Sequence, residues 1–395
     1  MLFPVAALTF FCASLVPASA APVPGVTSTW AFRENATWTY SHCSSFVNTS
    51  SGTLLSVFQA TQSHEGGPTQ TKFLVRSTDN GATWSAPKLL VSFTNSSGEE
   101  LLPWDGTVFL DADARIRYVF FFSPYHSQSA GDMYTISSSD DGATWSAPSM
   151  VFSRSVWGRI MSQINPPVVL RDGSLALPVY TTPGDSGDHG PVTSGLVLVG
   201  GDGEQWTPKG VLPTSLINIT VYQEPAVAVC APPNDDQLLM LIRTGILELW
   251  AARSTDEGAS WSLPYATPLQ NPNSKVNLLQ WTGDGAGGDA PAHGDLVLIL
   301  NPFANCSAPS NGYCPRSPLS LSVSRDCGGS WGPLFDVEID GVVDGVMEGS
   351  FGYPTGHQCT DADGEPAICI TYSVGTNVTG TGGIRFTVVP AKILV

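Results

Sequence analysis

The chain has 395 residues, and its 34 Asp and Glu outnumber its 17 Lys and Arg to give a formal charge of −17. That balance speaks against nucleic acid as a partner, because phosphate binding needs clustered cations. If the ligand is an anion, the few arginines must gather at one place.

Met1 to Ala20 is apolar and ends on the small residues Ala18-Ser19-Ala20, which reads as a secretory signal peptide even though no Lys or Arg precedes its apolar run. The run is too short to span a bilayer, and no later segment is a spanning candidate. Residues 21–395 are expected to form one domain. Six N-x-[ST] sequons, at Asn35, Asn48, Asn95, Asn218, Asn305 and Asn377, fit a glycosylated chain that is secreted or held in the secretory-pathway lumen. Eight cysteines are present. Cys306 with Cys314, and Cys359 with Cys369, flank short turns and suit disulfides in an oxidising compartment. Cys43, Cys230 and Cys327 cannot be paired from spacing, and no Cys/His spacing resembles a zinc site.

An internal repeat then organises the chain. Four copies of S-x-D-x-G-x-[TS]-W stand at Ser77–Trp84, Ser138–Trp145, Ser254–Trp261 and Ser324–Trp331. A worn copy at Val199–Trp206 keeps only Gly203 and Trp206. The spacing matches one four-stranded blade per repeat. The Asp accepts hydrogen bonds from its own turn, the Gly supplies a backbone conformation closed to most residues, and the Trp covers the hairpin. A calcium loop is the rival reading, but each copy offers too few carboxylates.

Strand-like runs alternate with breakers between the repeats: Leu54–Phe58, Val119–Phe122, Val168–Leu170, Leu238–Ile242, Leu296–Leu300 and Ile368–Tyr372. Helical periodicity is nearly absent. Gly283–Gly294 reads as a surface loop insertion. The fold class is therefore all-β, a six-bladed β-propeller with Asp-box hairpins, closed by pairing Gly383–Pro390 with an N-terminal strand.

Asp-boxes specify architecture rather than activity. Together with the order of several single residues, however, they resemble the sialidase (neuraminidase) superfamily, and within it the BNR-repeat, sialidase-like branch. The resemblance covers nearly the whole mature chain. It implies a Tyr nucleophile assisted by a Glu, a separate acid/base carboxylate, and three arginines on a substrate carboxylate. Arginine forks suit a carboxylate. Beside that carboxylate an anionic nucleophile would be repelled, so a Tyr–Glu pair serves instead.

By this resemblance Glu224, in Tyr222-Gln223-Glu224-Pro225, assists the nucleophile Tyr353, in Gly352-Tyr353-Pro354. Arg243 and Arg316 match the second and third arginines. Where the first is expected, counting back from Gly52-Thr53-Leu54-Leu55, stands His42. Its charge is conditional near neutral pH, which puts sialic acid as substrate in question. Glu65, in the loop Thr61–Pro68, is the acid/base candidate, and Asp105 and Arg159 are placed to line the channel mouth. Each residue also has an ordinary structural reading, as a solvated edge charge, an ion pair between blades or a core aromatic.

The function implied is an exo-acting glycoside hydrolase removing a terminal acidic sugar from extracellular glycans, with a carbohydrate ligand and no metal or organic cofactor. Two alternatives stay open: a non-catalytic glycan-binding or scaffold propeller, and an enzyme for another uronic-acid polysaccharide.

Overall fold

The structure, a computed structural model, describes residues 25–94, 98, 100–124, 131–153, 159–162, 164–182, 193–199, 206–213, 222–232, 236–283, 291–302, 316–339, 341–343, 346–376 and 382–394. The leader, Arg159's side chain, Cys306, Cys314, most of the worn repeat and of the Gly283–Gly294 insertion, and four sequons (Asn95, Asn218, Asn305, Asn377) lie outside the described residues. Asn35 and Asn48 are both exposed.

Six antiparallel sheets form the blades of a propeller. Their innermost long strands are Tyr40–Asn48, Glu100–Leu110, Arg159–Ser162, Tyr222–Val229, Asn277–Gln280 and Val346–Thr360. The sixth blade closes the ring as expected: Thr27–Arg33 pairs with Gly383–Pro390 and supplies its outermost strand. This pairing ties the two ends of the described chain into one blade. Among the described residues the only helical element is a 3-10 turn at Ala391–Ile393, and no helix is long and apolar enough to cross a membrane.

The strand-like runs lie in the blades, with one difference. Val168–Leu170 yields only a two-residue strand, because Gly173 donates to the Leu170 carbonyl and folds the chain back at once. The middle strand of the third blade is Leu175–Thr182, downstream of that turn.

The four intact boxes share one hydrogen-bond scheme. In the first, Ser77 Oγ donates to Asp79 Oδ1 (2.7 Å), the Thr83 amide donates to the same oxygen (2.9 Å), and Thr83 Oγ1 donates to Oδ2 (2.5 Å). The Gly81 amide donates to Ser77 Oγ. The Trp varies: Trp84 and Trp145 donate Nε1 to the box glycine carbonyl, whereas Trp261 Nε1 is buried without a partner. Each box glycine has a second reason for being glycine. A Cβ on Gly142 would meet Leu55 of the preceding blade at 2.3 Å, and one on Gly81 would meet Phe386 at 2.2 Å. The box is thus both a hairpin corner and the point where one blade seats against the next.

These bonds hold the box carboxylates below their ordinary range. Thr83 and Thr144 do most of this, bringing Asp79 and Asp140 to about 2. A carboxylate depressed by folding stabilises the fold above its ordinary pKa of 3.8, and that stability is lost as pH falls through about 2. Urea midpoints measured from about pH 5 to about pH 2 should therefore fall less steeply in Asp79→Asn/Asp140→Asn than in the wild type. Equal slopes would rule the linkage out.

Cys359 pairs with Cys369 inside the sixth blade, as expected. Cys230 pairs with Cys327, a link the spacing left open, and ties the fourth blade to the box of the fifth. Cys43 is buried and free. The two disulfides among the described residues fit an oxidising compartment.

Candidate active site

The innermost strands are irregular where they line the mouth of the channel. Ladder register shifts between His42 and Ser45, Trp104 and Gly106, Ile160 and Ser162, Gln223 and Ala226, and Gly352 and Thr355. At three of these bulges a non-glycine residue takes positive φ: Cys43 (52°), Glu224 (49°) and Tyr353 (58°). Such a residue costs backbone strain of about 1–3 kcal/mol and persists only where its surroundings over-determine it. A bulge also re-aims side chains that a regular strand would send alternately to its two faces. Both Glu224 and Tyr353 precede a proline, which has no amide hydrogen to strand when the ladder breaks.

Side chains of the preceding blades catch the carbonyls that the bulges free. Asn165 Nδ2 donates to the Pro225 carbonyl (2.9 Å), and Lys275 Nζ donates to the Pro354 carbonyl and to Thr355 Oγ1. Gln70 does the same for Pro103 in the second blade. Asn277 links Asn165 to the Gly356 amide, and Thr355 Oγ1 donates to the Ser44 carbonyl. A belt of buried side chains therefore fixes the strained residues from below. Lys275 shows the cost of this position: burial lowers its pKa to about 7.

Three of the expected residues meet in one closed set of contacts. Tyr353 Oη donates to Glu224 Oε1 (2.7 Å), and Arg243 Nη1 donates to both Tyr353 Oη and Glu224 Oε2 (2.6 Å each). Arg243 Nε donates to Asn273 Oδ1 (2.7 Å), which locks the fork. Burial opposes the Arg243 charge, but Glu224 and Tyr353 outweigh it and keep the guanidinium protonated. Burial pushes the Tyr353 hydroxyl well above its ordinary range, against the pull of Arg243 and Arg316 and with Glu224 adding to the rise.

The remaining expected residues surround this core. The Arg316 guanidinium lies 5.0 Å from the centre of the Tyr353 ring and donates to the Asn273 carbonyl. The His42 ring lies 4.2 Å from the Tyr353 ring, its Nδ1 against Ser373 Oγ. Burial, then the charges of Arg316 and Arg243, pushes His42 well below its ordinary pKa, so it is neutral here. Glu65 lies across the mouth, held by Gln59 Nε2 (2.9 Å) and approached by the Tyr40 hydroxyl (3.4 Å). Crowding by the surrounding protein, then Asp105, raises its pKa to about 7. Its side chain stays reachable from solvent, so this shift reflects a ringed carboxylate rather than a sealed one. Asp105 is buried on the bulge of the second blade, beside the Cys43 thiol. Arg159 opens the innermost strand of the third blade.

Four contributors had no signal of their own in the sequence: Cys43, Asn165, Asn273 and Lys275. Each acts through a bulge or a neighbouring blade. The turn signal Asn271-Pro272-Asn273-Ser274 marks the loop that holds two of them, but not its destination.

Comparisons with known proteins agree with this architecture. A family profile for the BNR repeat-like domain matches residues 52–365. No curated protein matches the sequence. Among solved structures, the Hadza microbial sialidase Hz136 superposes with a TM-score of 0.68 at 18% identity, over 92% of this chain and 68% of its own. NanB sialidase from Streptococcus pneumoniae gives 0.67 at 11% identity, over 93% and 71%. A protein of unknown function from Dyadobacter fermentans gives 0.68 at 15% identity, over 93% and 100%. At these identities the likeness is one of fold.

Proposed function

The chain belongs to the BNR repeat-like family, and from that footing we propose that it is an exo-acting glycoside hydrolase releasing a terminal acidic sugar, sialic acid or a relative, from extracellular glycans. The observation that carries this reading is the Tyr353–Glu224–Arg243 contact set, with Glu65 across the mouth. A sialidase from Trypanosoma rangeli, solved with sialic acid, shares the fold at a TM-score of 0.66 and 15% identity, this chain spanning 59% of its length.

Tyr353 Oη attacks the anomeric carbon while its proton passes to Glu224 Oε1. Arg243 stabilises the oxygen as it loses that proton. Glu65 gives a proton to the departing glycosidic oxygen, so the C–O bond breaks without releasing an alkoxide. Water then attacks the tyrosyl–sugar bond, Glu65 takes the water proton, and Glu224 returns the other to Tyr353. Two displacements retain the anomeric configuration. Arg316 and the outer edge of Arg243 receive the sugar carboxylate, and Asp105 and Arg159 bear on its hydroxyls.

A neutral His42 in place of a third arginine favours one second reading, in which the sugar is a uronic acid other than sialic acid. A panel of aryl glycosides of sialic acid and of uronic acids separates the two by which is cleaved. Glu65→Gln should spare substrates with activated leaving groups and lower turnover on alkyl-linked sugars by about 100-fold or more. No turnover on any acidic glycoside sinks the hydrolase reading. Glycan binding that survives Tyr353→Phe together with Glu65→Gln would establish a binding module instead.

A further inference from the structure

We propose that His42, Cys43 and Glu65 form a binding site for a zinc-class divalent cation at the channel mouth, and that its occupancy switches off glycoside cleavage by taking the Glu65 carboxylate. Neighbouring residues on a regular strand point to opposite faces. His42 and Cys43 do not, because Cys43 takes φ 52° in the bulge that follows His42. Cys43 instead packs with Tyr353 and Ile164, on the side where the His42 ring meets Tyr353. Glu65 arrives from the next loop, and the donor atoms of the three residues lie within 4.8 Å of one another.

Zinc bonds of about 2.0–2.3 Å set tetrahedral edges near 3.5 Å, so the cluster must close by roughly 1 Å. Glu65 supplies that movement: it is exposed and is followed by Gly66 and Gly67. The donors are already oriented by neighbours. His42 Nδ1 rests on Ser373 Oγ, which leaves the opposite ring nitrogen for a metal. Gln59 holds Glu65 through Nε2 and is itself held by Lys72. Asp105 accepts the thiol hydrogen of Cys43 and so fixes the direction in which the sulfur points.

Nitrogen, sulfur and oxygen donors together select zinc over calcium or magnesium, and three protein ligands leave a fourth position open. Glu65, Asp105 and Glu224 face the site from one side of the charge balance and Arg243, Arg316, Lys72 and Lys275 from the other. Burial, then Asp105 and Glu65, pushes the Cys43 thiol well above its ordinary range, so the metal must displace that proton. The inhibition rests on the glycosidase reading; the binding does not.

The test uses the full chain stripped with a chelator. Zinc is titrated by calorimetry, and cobalt(II) by the thiolate-to-metal absorption band. Wild type should bind one ion and show the band, and Cys43→Ser should lose the band. His42→Ala and Glu65→Gln should weaken zinc by at least about tenfold. His64→Ala, one residue away on the exposed loop, should bind as wild type. Melting curves without metal identify variants that fail to fold, and Glu65→Gln, an exposed loop change, serves where Cys43→Ser does not fold. No band in the wild type, a band that persists in Cys43→Ser, or binding that follows His64 overturns the site. Zinc should also abolish turnover at the concentration where it binds, and chelation should restore it. Binding without loss of turnover overturns the inhibition. Absence of turnover in the stripped protein overturns the inhibition and the glycosidase reading together, and leaves the binding result standing.

Discussion

Tyr353→Phe is expected to lower kcat/KM on an aryl glycoside of the acidic sugar by at least about a thousandfold, or ~4 kcal/mol of transition-state stabilisation. The same change should cost only about 1–2 kcal/mol of fold stability, because one buried hydroxyl is lost while the Arg243–Glu224 pair survives. The ratio between the two effects is the informative quantity. If Tyr353 were a core aromatic, its packing against His42 and under Arg316 would matter and its hydroxyl would not. Phe would then be nearly silent in both assays. The hydroxyl instead donates to Glu224 and accepts from Arg243, so it sits between a proton acceptor and a cation. Burial holds the phenol protonated until a substrate arrives, which ties deprotonation to the approach of the anomeric carbon. Glu224→Gln should lower kcat in step with Tyr353→Phe, and the double change should add little, since the two residues act as one unit. Wild-type rates in Tyr353→Phe would end the covalent mechanism.

The parts of this molecule that sequence reading could reach are those governed by local chemistry. A box such as Ser77–Trp84 closes its own hydrogen bonds within eight residues, so its pattern is visible wherever it occurs. Six blades and ring closure followed from counting such units and from needing to pair the last strand. The worn copy ending at Trp206 still marks a blade, because Trp206 opens the outer strand of the third.

The site was reachable only in outline. Glu224, Arg243, Arg316 and Tyr353 carried the family order, and the first two meet Tyr353 in one set of hydrogen bonds with Arg316 over its ring. What order cannot carry is the consequence of a bulge. Nothing in Ser41-His42-Cys43-Ser44 announces that Cys43 turns to share the side of its neighbour, since alternation is the rule for a strand. The Cys230–Cys327 link was hidden for a related reason. Its two halves are 97 residues apart and meet only because adjacent blades do. The role of the box glycines against the preceding blade was hidden in the same way, since Leu55 and Phe386 are remote in sequence from the turns they touch.

The largest loss of stability at a single position is expected at Arg243. Its side chain and that of Glu224 are both nearly inaccessible, at 5% and 4% of their free surface, and they meet at 2.6 Å. Arg243→Met keeps much of the volume but leaves the buried Glu224 carboxylate with the Tyr353 hydroxyl and a methyl group where the guanidinium stood. Breaking a buried pair from one side costs about 3–5 kcal/mol, far more than the pair itself is worth, because the remaining charge has lost its solvation and its partner. Under the proposed hydrolase reading that hazard has a reason: the same guanidinium would hold Tyr353 and receive a carboxylate. The double variant Arg243→Met/Glu224→Gln separates the two roles. Removing the stranded charge should restore most of the lost stability, so chemical denaturation should show a coupling of about 2–3 kcal/mol between the two sites. Turnover should stay lost, because neither the proton acceptor nor the cation bonded to the Tyr353 hydroxyl remains. A double variant no more stable than Arg243→Met would mean that the arginine supports the fold through Asn273 and the loop before the fifth blade, and not through its ion pair.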